Sequence, residues 1–268
     1  MMRAWQSKAE AELGAATLQA LFDNRIPAIR IKDFATEEEC RRFAAAVTEA
    51  EQHPIVFASK DGEALSKPKI GYIGIFQHFY RHRDKSAYFA DVAAAQARLR
   101  EIFARSFDPI ARMQDLLRVY AQASVAIADE GEGYGCYYAG IVRAMTVGAD
   151  LHCDYHPYYA RPYRIGRIDA QIGWNIYASG RGGGGELVVY NNPWTPQVRG
   201  DEIPESFPLP RSSTEGAERF VIEIRAGDVV LFNTRNPHEI LPSKGDEPRI
   251  SLGTFLGRLP EGNLLMWS

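Results

Sequence analysis

The spacing of apolar positions changes character half-way along the chain. Up to about residue 133, apolar side chains recur at intervals of three and four, as on one face of a helix. This spacing predicts a helix over 7–22 and another over 37–51, the second with Phe43, Ala44 and Val47 on its inner face. Thr36 and Glu39 have the spacing of a capping box, which marks where that helix starts. Two more helices are predicted over 85–104 and 109–128. Between the first two helices, Ile26–Ile31 (IPAIRI) reads as a short strand, confined by Pro27 to an edge or a strand start. Residues 59–70 (SKDGEALSKPKI) read as a polar loop and 71–76 as a strand.

From Tyr134 the period shortens. Runs rich in Val, Ile, Tyr and Phe alternate with clusters of Gly, Pro and Asn. Strands are predicted over 137–146, 150–155, 169–178, 185–190, 219–224, 228–233 and 248–256. Such a series fits an all-β sandwich or barrel better than βαβ units. Gly182 to Gly185 reads as a tight turn into ELVVY, and 193–218, rich in Pro, Ser and Glu, as a surface insertion. No linker marks the change of period. The expectation is therefore one domain, 1–268, mainly β with flanking helices: a helix-rich 1–133 packed on a β core over 134–257.

Composition narrows the function. Of 268 residues, 31 are Lys or Arg and 34 Asp or Glu, so the basic excess of a nucleic-acid binder is missing. The three cysteines, Cys40, Cys136 and Cys153, have no CxxC spacing, which speaks against a disulfide framework or zinc ribbon. No apolar run approaches the roughly 18 residues of a membrane span, and Met1 to Leu21 lacks the pattern of a signal peptide. A cytoplasmic protein acting on a small molecule, with neither nucleic acid nor membrane as partner, is expected. Oligomeric state leaves no mark in the sequence.

Chemistry concentrates in two places. Leu151–His156 reads LHCDYH. On a strand, residues two apart share a face, so His152 and Asp154 are expected to project together. His238 follows the apolar run of GDVVLFNTRNPH, and a sandwich can bring that strand end opposite the first. Two histidines and one carboxylate with open positions suit non-haem Fe(II) and its O2 chemistry. An HxD pair alone arises often by chance, and a lone histidine after a strand is usually structural. Arg249 and Ser251 (RIS) change the balance. A buried arginine needs an anion, and a dicarboxylate chelating iron at one end would offer its other carboxylate to the guanidinium fork and the serine hydroxyl.

With HxD, a distal His after GDVVLF, and RxS, the chain resembles the Fe(II)/2-oxoglutarate-dependent oxygenases of the prolyl-hydroxylase-like type. GGELVVY at 184–190 extends the likeness. The resemblance implies a double-stranded β-helix (jelly-roll) core, His152, Asp154 and His238 as catalytic metal ligands, and Arg249 and Ser251 on the distal carboxylate of 2-oxoglutarate. It also implies turnover of 2-oxoglutarate and O2 to succinate and CO2, with hydrogen abstraction and hydroxyl rebound at a substrate C–H. By position Tyr177 resembles a family tyrosine that bonds 2-oxoglutarate; a core tyrosine is the other reading. Trp194, the FLG after the last strand, the terminal MWS, IGYIGIFQHF and DKSAYF are similar to the carrier-free aliphatic halogenases and their hydroxylase relatives. Those halogenases carry a small residue where this chain has Asp154, so the likeness implies a hydroxylase, with an amino-acid-like or natural-product substrate.

Other residues stay open. His156 is read as pocket-lining or structural, outside the metal. Arg161, Arg164 and Arg167 either meet a substrate carboxylate or are solvated. Phe76–Arg83 (FQHFYRHR) is a candidate lid or a helix flank. A prolyl-type protein hydroxylase and a non-catalytic cupin-like metal binder are the alternatives. The first needs an open groove, where the insertions at 59–84 and 193–218 suggest a covered pocket. The second has no use for Arg249 and Ser251.

Overall fold

Strand 170–177 is apolar on one face and mixed on the other, and the two faces meet different layers. The computed structural model describes residues 4–58, 64–131, 133–180, 183–200 and 202–268. Among these, a nine-stranded sheet runs β1 (Ala28–Ile31), β10 (Val229–Phe232), β7 (Ala170–Tyr177), β12 (Arg249–Arg258), β5 (Ile141–Met145), β3 (Ala64–Ile73), β2 (His53–Ala58). β13 (Leu264–Trp267) adds to β12 antiparallel, and β4 (Val125–Ile127) adds to β13 parallel. A four-stranded sheet runs β6 (Ala149–His152), β11 (His238–Ile240), β8 (Leu187–Tyr190), β9 (Arg219–Ile222). Tyr177, Val230 and Phe232 of the large sheet pack on Leu187, Val189 and Ile222 of the small one.

The outer face of the large sheet carries the helices α1 (Ala15–Phe22), α2 (Glu37–Glu49), α3 (Lys85–Ala104) and α4 (Pro109–Ala121). Leu21, Phe43, Leu99, Met113 and Leu117 meet Ile29, Trp174, Ile176, Leu231 and Leu252 there. The fold is mainly β with flanking helices, built on a double-stranded β-helix (jelly-roll) core. No helix of the described residues is long and apolar enough to cross a membrane.

Local signals set several boundaries. Thr36 Oγ1 accepts from the Glu39 amide at 3.2 Å and the Glu39 carboxylate accepts from the Thr36 amide at 2.9 Å. This capping box is worth about 1 kcal/mol. Arg112 of α4 donates to the same carboxylate, which ties α4 to α2.

Elsewhere long-range contacts override helical spacing. The helix predicted over 7–22 begins only at Ala15. Buried Arg30 takes Glu10 as a counter-ion beside Asp228, and Ala11 bridges to Ile29, so the segment before Gly14 stays extended. The helix predicted over 109–128 stops at Ala121, where Gln122 turns left-handed at φ 51°, and 125–127 joins the sheet. The loop predicted over 59–70 is corrected for 64–70, which pair with β2 as part of β3; 59–63 lie outside the described residues. The strand predicted over 71–76 ends at Ile73 as the tail of β3. In the glycine turn, Gly183, Gly184 and Gly185 all take positive φ, whereas Gly182 lies outside the described residues. Residues 193–218 carry no strand among those described, but they are more than surface: Cys153 N donates to Ser206 O at 3.1 Å and Leu209 N to Leu151 O at 2.7 Å.

Candidate active site

β6 and β11 lie side by side with His152 opposite His238, and their ring centroids are 4.1 Å apart. Each Nδ1 faces the carbonyl two residues earlier: His152 on Asp150 at 2.7 Å, His238 on Asn236 at 2.9 Å. Nδ1–H donates to that oxygen, so Nε2 keeps a free lone pair. Asp154 Oδ2 lies 3.9 Å from His152 Nε2 and 3.6 Å from His238 Nε2. One ligand atom from each residue falls within 4.8 Å of the others. Two imidazole nitrogens and a carboxylate so converged are a donor set that fits a divalent transition metal with positions left open.

Asp154 reaches this set by a route other than strand alternation, because β6 ends at His152. Its amide donates to Thr234 O at 2.9 Å, and its carbonyl accepts from Thr234 Oγ1 at 2.9 Å and Gln171 Nε2 at 3.1 Å. Gln171 Oε1 in turn accepts from the His156 amide at 2.9 Å. His156 stands outside the three-donor set. Its ring packs on Phe255 and Trp267, 5.0 Å from each. Cys153 is fully buried.

Electrostatics favour cation binding. Burial lowers the pKa of His152 to about 4, helped by His238 and opposed by Asp154. Burial alone would raise the Asp154 carboxyl, but its contact with His238 and the charges of both histidines outweigh that and hold it below the ordinary carboxylate range. At neutral pH His152 is therefore an uncharged donor and Asp154 an anion.

Across from the triad, β12 turns Arg249 and Ser251 inward, both buried. Arg249 donates to Gly185 O at 2.8 Å and touches Met145 Sδ at 3.6 Å, with its guanidinium carbon 5.5 Å from the Tyr177 ring centroid. No carboxylate of the described residues pairs with it, and burial pushes its pKa down. Tyr177, Ser251, Arg143 and Tyr72 are successive cross-strand neighbours over β7, β12, β5 and β3, so they share one face. One pair further along, Asn175 is opposite Gly253. A Cβ at Gly253 would lie 2.2 Å from Asn175 Oδ1 and 2.9 Å from Arg143 Nη1, so both side chains lean over this glycine.

Arg161, Arg164 and Arg167 are exposed, and Arg161 and Arg164 are spent on backbone carbonyls of Gly200 and Asp129. The lid candidate is a 3₁₀ turn, Gln77–Tyr80, leading to α3. Phe76, just before this turn, is buried under Arg143, and His78 is close enough to feel the Asp154 charge. Gln171, Thr234 and Arg143 are additions to the set read from the sequence. Arg143 had a signal there, a lone charge inside the apolar run IVRAM. Gln171 shares the Asn175 and Tyr177 face by the same alternation.

Solved structures that resemble this chain in fold are numerous. The family profile for the carrier-protein-independent halogenase WelO5 matches residues 7–268. Leucinostatins biosynthesis cluster protein S of Purpureocillium lilacinum is 32% identical over 227 residues, 80% of this chain and 92% of that protein. L-gamma-glutamyl-L-propargylglycine hydroxylase of Streptantibioticus cattleyicolor is 27% identical over 135 residues, about half of each chain (49% and 48%). The crystal structure of an N-substituted L-amino acid dioxygenase from Burkholderia ambifaria shares the fold at a TM-score of 0.60 and 15% identity, covering 95% of this chain and 91% of that one.

Proposed function

The chain belongs to the carrier-protein-independent halogenase WelO5 family, among the iron(II)/2-oxoglutarate oxygenases, and on that premise we propose that it hydroxylates a small, amino-acid-like or natural-product substrate. Its cofactor is Fe(II), and its co-substrates are 2-oxoglutarate and O2. When bound, these supply an oxidant able to take hydrogen from an unactivated C–H, with succinate and CO2 released.

The observation that carries the hydroxylase reading is Asp154, whose carboxylate stands beside both His152 and His238. His152, Asp154 and His238 hold the iron, and the carbonyls of Asp150 and Asn236 keep the two imidazoles turned toward it. A metal carboxylate occupies the place that the halogenases leave to chloride. Arg249, Ser251 and Tyr177 anchor the distal carboxylate of 2-oxoglutarate: the guanidinium is buried without a carboxylate of its own, and the serine hydroxyl shares its face with Tyr177. A relative named for hydroxylating an amino-acid derivative supports the substrate class. Membership in an enzyme family leaves the cupin-like alternative without support.

The test is product mass spectrometry after incubation with iron, 2-oxoglutarate and O2 across amino acids, their N-acyl forms and small alkaloids. Succinate release coupled to addition of one oxygen is expected, with or without excess chloride. A chlorinated product from the wild type overturns the reading.

Arg249→Ala is expected to raise KM for 2-oxoglutarate by at least ~30-fold, since removing one side of a buried charge pair costs about 2–5 kcal/mol. Arg249→Lys restores part of that, because an ammonium lacks the planar fork. Unchanged 2-oxoglutarate kinetics in Arg249→Ala would place the anchor elsewhere.

A further inference from the structure

We infer that Arg143, with Asn175 beside it, binds an anionic group of the substrate, so that the substrate is a small carboxylic acid with an apolar body. The inference rests on the oxygenase reading above. Arg143 lies on β5 opposite Ser251 and Tyr72, facing the space between the sheets. Its guanidinium carbon is 5.4 Å from the Phe76 ring centroid, and among the described residues it has no carboxylate or hydrogen-bond partner. The Asn175 amide leans over Gly253 beside it, and it too has no side-chain hydrogen bond among the described residues. Burial pulls the Arg143 pKa down to about 10, the Asp154 charge opposes that, and Arg249 adds to it. A guanidinium still charged at neutral pH and held only against an aromatic ring is poorly compensated.

Charge counting points to what completes it. Iron(II), Arg143 and Arg249 bring four positive charges to the assembled site, while Asp154 and dianionic 2-oxoglutarate bring three negative ones. His78 adds none at neutral pH, because burial lowers its pKa to about 4. One positive charge remains, in surroundings where an uncompensated charge is costly. The count is the same whichever carboxylate Arg143 touches, so the missing anion belongs to the substrate.

Position separates the two arginines. Arg249 is opposite Met145 and Arg143 two residues further along β5, one pleat repeat or roughly 7 Å away. The co-substrate tail and the substrate anion thus have separate anchors on one sheet face. Around Arg143 the walls are aromatic: Tyr72 to Phe76 is 5.2 Å and Phe76 to His78 is 5.3 Å between ring centroids. An anionic end on Arg143, a polar atom on Asn175 and an apolar body along Tyr72 and Phe76 describe an acid whose far end is directed to the metal side.

The test uses the full chain with iron and 2-oxoglutarate, without O2, and a panel of N-acetyl-L-amino acids paired with their carboxamides. Binding is read by calorimetry, after a first titration with 2-oxoglutarate alone. At least one acid is expected to bind ~30-fold or more tightly than its amide. In Arg143→Gln the acid loses that advantage while 2-oxoglutarate affinity changes less than ~3-fold, and Arg143→Lys recovers part of the acid binding. The inference is overturned if no acid in the panel binds, if acid and amide bind alike, or if Arg143→Gln loses 2-oxoglutarate to the extent expected of Arg249→Ala. Failure of the wild type to bind 2-oxoglutarate in the first titration overturns the oxygenase reading, and this inference with it.

Discussion

His238→Ala is expected to abolish iron-dependent succinate release while the protein remains folded. The imidazole is one of the three side chains proposed to hold the iron, and its loss would leave only His152 and Asp154 of that set. Iron affinity should fall by at least ~100-fold, more than the 10–100-fold that loss of a supporting partner costs. The fold has little stake in this side chain. β11 stays paired to β6 and β8 through its backbone, and the ring's own hydrogen bond goes to the nearby Asn236 carbonyl. What is lost is packing against Phe232, whose ring centroid is 4.9 Å away. A destabilisation of about 1–3 kcal/mol is expected from that truncation. Iron titration under anaerobic conditions, denaturant melts and succinate assays together check this. Iron affinity within a few-fold of wild type would remove His238 from the metal set.

Where a signal is local, the sequence announces the structure. The Thr36 and Glu39 cap and the 20-residue, alanine-rich helix Lys85–Ala104 stand where the sequence places them, because caps and runs of strong helix formers are decided by near neighbours. The long strands Ala170–Tyr177 and Arg249–Arg258 are legible for the same reason. Residues 64–70 look like a loop because their strand pairing is supplied by β2 and β5 rather than by their own apolar pattern. β11 has three residues and is too short to show a period. The site divides along the same line. Motif spacing points to His152 and His238, whereas strand alternation does not account for Asp154: the strand stops before it, and Thr234 and Gln171 hold its backbone beside the histidines. Arg143 needed the register of β5 against β12, which no local pattern fixes.

Asp154→Gly is the substitution that most directly asks what residue 154 decides. The backbone around it is held by atoms that glycine keeps: the amide on Thr234 O and the carbonyl bonded by Thr234 and Gln171. The loop should therefore survive, and the change is confined to the loss of the carboxylate beside His152 and His238, the proposed anionic ligand. That loss weakens iron binding and adds an uncompensated positive charge to a site that already holds Arg143 and Arg249. Hydroxylation should fall by at least ~100-fold. Chloride carries the same charge as the missing carboxylate and fits the vacated position, so added chloride is expected to recover part of the iron affinity. Chlorinated product is expected to stay a minor fraction. Which group reaches the substrate carbon depends on how the substrate is aimed, and the groups that aim it, Arg143, Asn175 and the Phe76 wall, are unchanged by the substitution. Iron titration and product mass spectrometry with and without chloride, on wild type and variant in parallel, give the answer. Undiminished hydroxylation by Asp154→Gly would mean that the carboxylate beside the two histidines does not serve the metal.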